Sequence, residues 1–220
     1  MQNSICQNLD RIRQDIPSKT RIVAVSKQAT VEQIRQAYAA GIRDFGENRL
    51  QVATDKREQL KDLSDIRWHF IGHIQSKKAK KVVPHFSWIH SVDSLKLARL
   101  LDKAATENRV SPQVCLQFKP LRDPDKFGWH KEELLADLTE LDKLENLQIR
   151  GLMSILPLGL SDEETLAAFE SVRSLFRKIK AQSWQHIQMQ ELSMGMSGDY
   201  ALAVKAGATM IRPGRIIFNG

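Results

Sequence analysis

Eight short apolar runs recur along the chain, and each of the first seven is followed by a stretch whose apolar residues fall at helical spacing. Strands that alternate with helices pair in parallel, because each crossover helix returns the chain to the same edge of the sheet. Eight such units in 220 residues suit a closed (β/α)8 barrel at the short end of its size range. A doubly wound open sheet is the competing arrangement, but no Gly-x-Gly-x-x-Gly follows the first strand. Neither a linker nor a low-complexity tract interrupts the pattern. The expectation is an α/β fold, a single TIM barrel over residues 1–220 with no second domain.

The run Arg21-Ile-Val-Ala-Val-Ser-Lys27 is the first strand, apolar on consecutive positions and so buried on both faces. Thr30-Val-Glu-Gln33 fits a capping box just after it, so Lys27 lies between a strand exit and a helix start. The remaining strands are expected at 42–46, 66–72, 86–91, 114–118, 147–154, 190–193 and 209–212. Helical spacing predicts helices over 4–14, 31–40, 49–61 and 131–144, a basic helix ending near 83 before Pro84, and one ending at 108 capped by Asp93 or Ser94. A second capping box, Ser161-Asp-Glu-Glu164, opens a helix to about 181, and a small-residue helix ends at Gly207. The irregular stretch 119–128 is a candidate lid.

Composition excludes several classes. No apolar run approaches the ~20 residues that span a bilayer, and the first residues lack the pattern of a signal peptide. Cys6 and Cys115 form no CxxC pair, which points to a reduced, cytoplasmic protein. A net charge of +7 suggests anionic partners: nucleic acid, a membrane surface or phosphorylated small molecules. Lys77-Lys-Ala-Lys-Lys81 is the densest basic run, read as a solvated face, with too few aromatics for stacking on single strands. His69 and His73 straddle a strand exit without a His-Glu-x-x-His motif, so no metal site is expected. His85, His90, His130 and His186 read as structural or solvated.

In a barrel the strand exits converge on one mouth. They bring together Lys27, Asn48, His69 with Gly72, Ser193, Met196, Ser197, Arg212, Gly214 and Arg215. Ser197 is expected as the N-cap of the last full helix, with free backbone N–H groups beside it. Arg212-Pro-Gly-Arg215 adds donors at Gly214 and Arg215 but none at Pro213. Taken singly, these features also fit an ordinary solvated lysine, an ordinary cap and a tight turn. Together, a lysine, a phosphate cup and an arginine describe a site for pyridoxal 5′-phosphate (PLP). The aldehyde needs an amine for a Schiff base, the phosphate needs N–H donors, and the pyridine nitrogen needs an acidic or arginine partner.

The ordered motifs Val25-Ser26-Lys27, Phe45-Gly-Glu-Asn48, Trp68-His-Phe-Ile-Gly72 with Gln75, Lys126-Phe-Gly128, Gly151-Leu-Met153, Leu192-Ser-Met-Gly-Met-Ser197 with Asp199, and Arg212-x-Gly-Arg215 with Ile217-Phe218 cover essentially the whole chain. In these the chain resembles the pyridoxal phosphate homeostasis proteins, whose barrel is like the N-terminal domain of alanine racemase. The resemblance implies that Lys27 carries PLP as a Schiff base and that Arg212 faces the pyridine nitrogen. It puts Ser197, Gly214 and Arg215 on the phosphate, Asn48 near the ring's polar edge, and His69 and Met196 on the pocket wall. Two positions depart from the family pattern: Lys77 stands where Asn is usual, and Pro213 where an aliphatic residue is usual.

Racemases on this barrel add a tyrosine acid–base group from a second domain and a partner subunit. Here the chain stops soon after the eighth strand and holds only Tyr38, mid-helix, and Tyr200, in the first turn of the last helix. The expectation is therefore a monomeric PLP-binding protein of vitamin B6 homeostasis without robust catalysis. It would buffer PLP or deliver it to PLP-dependent apoenzymes, and so affect amino-acid and keto-acid balance. The alternatives are a weak amino-acid racemase and a binder of nucleic acid or another anionic partner through Lys77 to Lys81.

Overall fold

The computed structural model describes residues 4–123 and 126–219. Among them, strands β1 (Arg21–Val25), β2 (Asp44–Glu47), β3 (Arg67–Phe70), β4 (Trp88–Val92), β5 (Gln113–Gln117), β6 (Gln148–Met153), β7 (Glu191–Ser193) and β8 (Met210–Ile211) pair in chain order. Every pairing is parallel, and β8 returns to β1 with Arg21 opposite Met210 and Ile22 opposite Ile211. The sheet is a closed eight-stranded barrel, as the alternation predicts.

Period-two geometry sorts the strand residues between two cores. On β1, Ile22 and Ala24 join the large outer core between sheet and helices, while Val23 joins Trp88, Cys115, Met153 and Met210 inside the barrel. This is why the β1 run is apolar without interruption: both of its faces are covered.

The helices are α1 (Ser4–Asp15), α2 (Val31–Ala39), α3 (Leu50–Gln59), α4 (Ala79–Val82), α5 (Leu95–Asn108), α6 (Lys131–Leu141), α7 (Asp162–Lys180), α8 (Tyr200–Lys205) and α9 (Arg215–Phe218). Both expected capping boxes form: Thr30 with Gln33 opens α2, and Ser161 with Glu164 opens α7. Ser94 rather than Asp93 caps α5, accepting from the Leu97 N–H. α1 buries Ile5, Leu9 and Ile12, and Asn8 donates from Nδ2 to the Ile217 carbonyl, tying the first helix to α9.

Two helices differ from expectation for local reasons. The basic helix after β3 is three short pieces, a 3-10 turn at Ser76–Lys78, α4, and a second 3-10 turn at Val83–His85, because Pro84 cannot continue an α-helical ladder. α6 ends at Leu141, three residues early. There the Asp142 carboxylate accepts from the backbone N–H groups of Gln185, His186 and Ile187, which anchors it to the chain before β7.

Candidate functional site

Lys27 lies two residues past Val25, the last residue of β1, in the turn that leads to α2. It is exposed, and no hydrogen bond or ion pair to another described residue engages its amine. The backbone beneath it is held firmly. Ser26 is fully buried, and its hydroxyl donates to Glu47 Oε1 at 2.6 Å. Lys56 Nζ on α3 donates to the same oxygen at 2.8 Å and to the Ser26 carbonyl at 2.6 Å. This Ser26–Glu47–Lys56 clamp joins two of the sequence motifs; Glu47 stands within the second of them with no role assigned to it, and Lys56 lies outside every motif. The signal was there: Lys56 falls on the inward stripe of α3 between Ala53 and Leu60.

Beside Val25, at the end of β1, stands the turn after β8. The Val25 N–H donates to the Pro213 carbonyl at 2.8 Å, so the proline extends the β1–β8 seam through its acceptor rather than disturbing it. Gly214 packs so closely that a Cβ there would lie 3.0 Å from the Val25 carbonyl oxygen and 3.2 Å from Val25 Cβ. Ser197 Oγ accepts from the Gly214 N–H at 3.1 Å and from the Ile216 N–H at 3.5 Å. Ser197 is not the N-cap that its position suggested. The cap of α8 is Asp199, whose Oδ1 accepts from the Met196 N–H at 2.5 Å and closes the β7 exit loop. The serine instead crosses to the β8 exit, because the loop residues Met196 to Asp199 form a turn of their own. Arg215 is exposed at the first position of α9, where a backbone N–H has no intrahelical partner.

Arg212 is 3% exposed. Its Nη1 donates to Ser193 Oγ at 2.7 Å and its Nη2 to the Ser154 carbonyl at 2.8 Å, and among the described residues no carboxylate pairs with it. Burial pushes its pKa down to about 10, with Cys115 and Asp199 opposing, so the guanidinium stays charged at neutral pH. The Ser154 hydroxyl is buried and has no hydrogen-bond partner among the described residues.

Asn48 is half-buried at the β2 exit, where Gly72 approaches its backbone so closely that a Cβ would lie 2.3 Å from the Asn48 carbonyl oxygen. Met196 is half-buried in the β7 exit loop. His69 departs from the expected pocket wall. It is fully buried inside the barrel, with Nε2 on Asp44 Oδ1 at 2.9 Å and Nδ1 on His90 Nε2 at 2.8 Å, so both ring nitrogens are taken. His73, four residues on, is exposed and bonded to Asp93 at 2.9 Å. Among the described residues no group of metal-ligating side chains converges.

The candidate lid is partly pinned. Gln117 donates from Nε2 to the Phe127 carbonyl, the Trp129 N–H donates to the Gln117 carbonyl, and Phe127 stacks on His73. Residues 124 and 125 of that stretch lie outside the described residues. Both tyrosine hydroxyls are engaged by carboxylates. Tyr38 donates to Asp65 at 2.5 Å, and Tyr200 donates to Asp15 at 2.7 Å, with its pKa pushed up to about 12 by burial and by that carboxylate. Lys77, Lys78, Lys80 and Lys81 are all exposed, and Lys80 pairs with Glu107.

The family model for the alanine racemase N-terminal domain matches residues 2–220. A pyridoxal phosphate homeostasis protein of Synechocystis is 51% identical over 204 residues, 93% of each chain. The structure of PipY from Synechococcus elongatus with PLP bound superposes with a TM-score of 0.91 at 46% identity, covering 97% of this chain and 99% of that one. Alanine racemase of Clostridium difficile shares the fold at 15% identity with a TM-score of 0.76; 97% of this chain matches 58% of that one. No helix among the described residues is long and apolar enough to cross a membrane. By family model and by identity, the chain belongs to the pyridoxal phosphate homeostasis protein family.

Proposed function

We propose that residues 1–220 are a single domain that binds pyridoxal 5′-phosphate at the barrel mouth, and that the protein buffers or delivers this cofactor rather than turning over a substrate. The observation that carries the reading is the β1–β8 seam. There the serine-braced glycine turn packs against Val25, two residues before a lysine whose amine no described residue engages. When bound, PLP supplies an aldehyde that condenses with a primary amine and a ring that takes up electron density.

In this reading Lys27 provides the amine, and the Ser26–Glu47–Lys56 clamp fixes the backbone from which it extends. Ser197, Gly214 and Arg215 hold the phosphate, as the donor chemistry of the turn allows. Arg212 only donates and keeps its charge, so it would give the ring nitrogen a hydrogen bond and no proton. That weakens the ring as an electron acceptor. Asn48 would lie near the ring's polar edge and Met196 on the pocket wall, both half-buried at strand exits.

The non-enzymatic reading draws on the two tyrosines, whose hydroxyls are bound to Asp65 and Asp15 instead of free for proton transfer. The protein would work as a cytoplasmic monomer that supplies PLP-dependent apoenzymes. The test is to load the purified protein with PLP, remove the excess, and mix it with a PLP-dependent apoenzyme and, separately, with a panel of L-amino acids. Restored apoenzyme activity with no amino-acid turnover above that of free PLP supports the carrier. Turnover well above free PLP overturns it in favour of a racemase-like enzyme.

A further inference from the structure

The barrel interior carries a line of hydrogen bonds that runs from one end to the other. Arg212 Nη1 meets Ser193 Oγ at 2.7 Å, Ser193 Oγ meets His90 Nδ1 at 2.7 Å, and His90 Nε2 meets His69 Nδ1 at 2.8 Å. His69 Nε2 then meets Asp44 Oδ1 at 2.9 Å, and Arg67 closes the line with Nε and Nη2 on the two oxygens of the same carboxylate. Asp44 is 4% exposed, Arg212 is 3% exposed, and the three residues between them are sealed from solvent. The members come from β2, β3, β4, β7 and the residue after β8, so the line crosses the barrel rather than following one strand. At its far end Asp44 and Arg67 open onto a cleft of about 370 Å³ at the amino-terminal edge of the strands.

The ends of the line and the burial between them fix the direction of every bond. A guanidinium can only donate, so Ser193 Oγ accepts from Arg212, and among the described residues the group placed to take its buried hydrogen is His90 Nδ1. His90 then carries its proton on Nε2 and donates to His69 Nδ1. His69 in turn carries its proton on Nε2 and donates to the Asp44 carboxylate, which can only accept. Starting from the carboxylate gives the same assignment for neutral rings: Asp44 accepts from His69 Nε2–H, and His69 Nδ1 accepts from His90 Nε2–H, so both rings are in the Nε2–H form. A further proton on His69 would set two N–H groups against each other, and one on His90 would turn the buried Ser193 hydrogen away from the line, with no other acceptor for it among the described residues.

Burial pushes the pKa of both rings down, and for His90 neighbouring charges push the same way. A barrel plug needs none of this. Apolar side chains of similar volume fill such a space without the desolvation cost of buried polar groups, as Val23, Met153 and Met210 do alongside. A fully satisfied polar line has a different property: it specifies one orientation.

We propose that Asp44, His69, His90 and Ser193 are positioning residues for Arg212, a one-way hydrogen-bond chain that fixes the rotation of its guanidinium and so the N–H it offers to the ring nitrogen of bound PLP. The inference rests on the PLP-binding reading, and its first test does not. In the full-length protein without PLP, labelled with ¹⁵N on the histidine rings, NMR is expected to show His69 and His90 both neutral and Nε2-protonated at pH 7. An Nδ1–H ring or an imidazolium at either position overturns the chain, whatever the protein binds.

The second test measures PLP affinity and the absorption spectrum of the bound form. Asp44→Ala removes the terminal acceptor, and it is expected to weaken PLP binding about 5-fold, the worth of one buried hydrogen bond, and to displace the absorption maximum. Asp44→Asn keeps an oxygen facing His69 and is expected to restore most of both. An Asp44→Ala protein that folds and matches the wild type in affinity and spectrum overturns the proposal, as does an Asn variant no better than the Ala one. If Asp44→Ala does not fold, the ring tautomers of the wild type and of Asp44→Asn decide. Failure of the wild type itself to take up PLP counts against the functional reading, and the tautomers still judge the chain.

Discussion

Ser197 shows what a single side chain can and cannot announce. Its neighbourhood of Met, Gly and Asp spells a helix start, yet its hydroxyl reaches across to the Gly214 and Ile216 N–H groups. That contact joins residues 17 apart in sequence, and no local pattern encodes it. Lys27, by contrast, was legible, because a strand exit before a capping box is a local signal. Ser197→Ala leaves two backbone donors of the turn without their acceptor. It is expected to weaken PLP binding by about 5- to 10-fold while lowering stability by only ~1 kcal/mol; titration and thermal melting on the same sample separate the two effects.

The buried histidines set a pH dependence that composition does not show. Folded His90 has its pKa well below the unfolded value of about 6.5, so below that pH the unfolded chain takes a proton that the folded one refuses. Stability therefore rises with pH up to about 6.5 and is lost below it, by at most ~1.4 kcal/mol per pH unit for each such ring. Asp44 acts in the same direction at lower pH. Burial raises its pKa, but the hydrogen bonds from Arg67 and His69 outweigh this and hold it below the usual carboxylate range. The urea midpoint is expected to fall between pH 7.5 and 5.5, and His90→Gln is expected to flatten that fall. A midpoint equally high at pH 5.5 would contradict the neutral buried rings.

At the scale of elements, periodicity and capping chemistry located every strand and most helices, because those signals lie within a few residues of the structure they produce. Thr30 and Gln33 are the clearest case, with the full reciprocal box in place. Thr30→Ala is expected to cost about 1 kcal/mol and lower the thermal midpoint by roughly 2–4 °C, without touching PLP affinity. Helix lengths were less legible, since they depend on tertiary anchors: α6 stops where Asp142 is claimed by the chain before β7. The β8 exit depends on distant backbone too. Gly214→Ala would press a methyl against the Val25 carbonyl at 3.0 Å. The turn must shift to relieve it, and PLP affinity is expected to drop further than in Ser197→Ala, as the same titration would show.

For the molecule as a whole, eightfold alternation specified a closed parallel barrel, and closure is what packs Gly214 against Val25, two residues before Lys27, although the two sit near opposite ends of the chain. What the sequence could not display is how the barrel is filled. His90 on β4 meets Ser193 on β7, strands that do not pair with each other, and only closure brings them into one line. Cys115 lies in that interior, where burial pushes its thiol pKa up, so in the native protein it is expected to resist thiol reagents while Cys6 reacts.

The whole account turns on one amine at the mouth of this barrel capturing PLP, and an absorption titration of the purified protein tests it most directly. Wild type is expected to develop the band of a lysine-bound coenzyme on addition of PLP, and Lys27→Ala to fold normally without it. A wild-type protein that stays colourless, or a Lys27→Ala protein that develops the same band, would contradict the account.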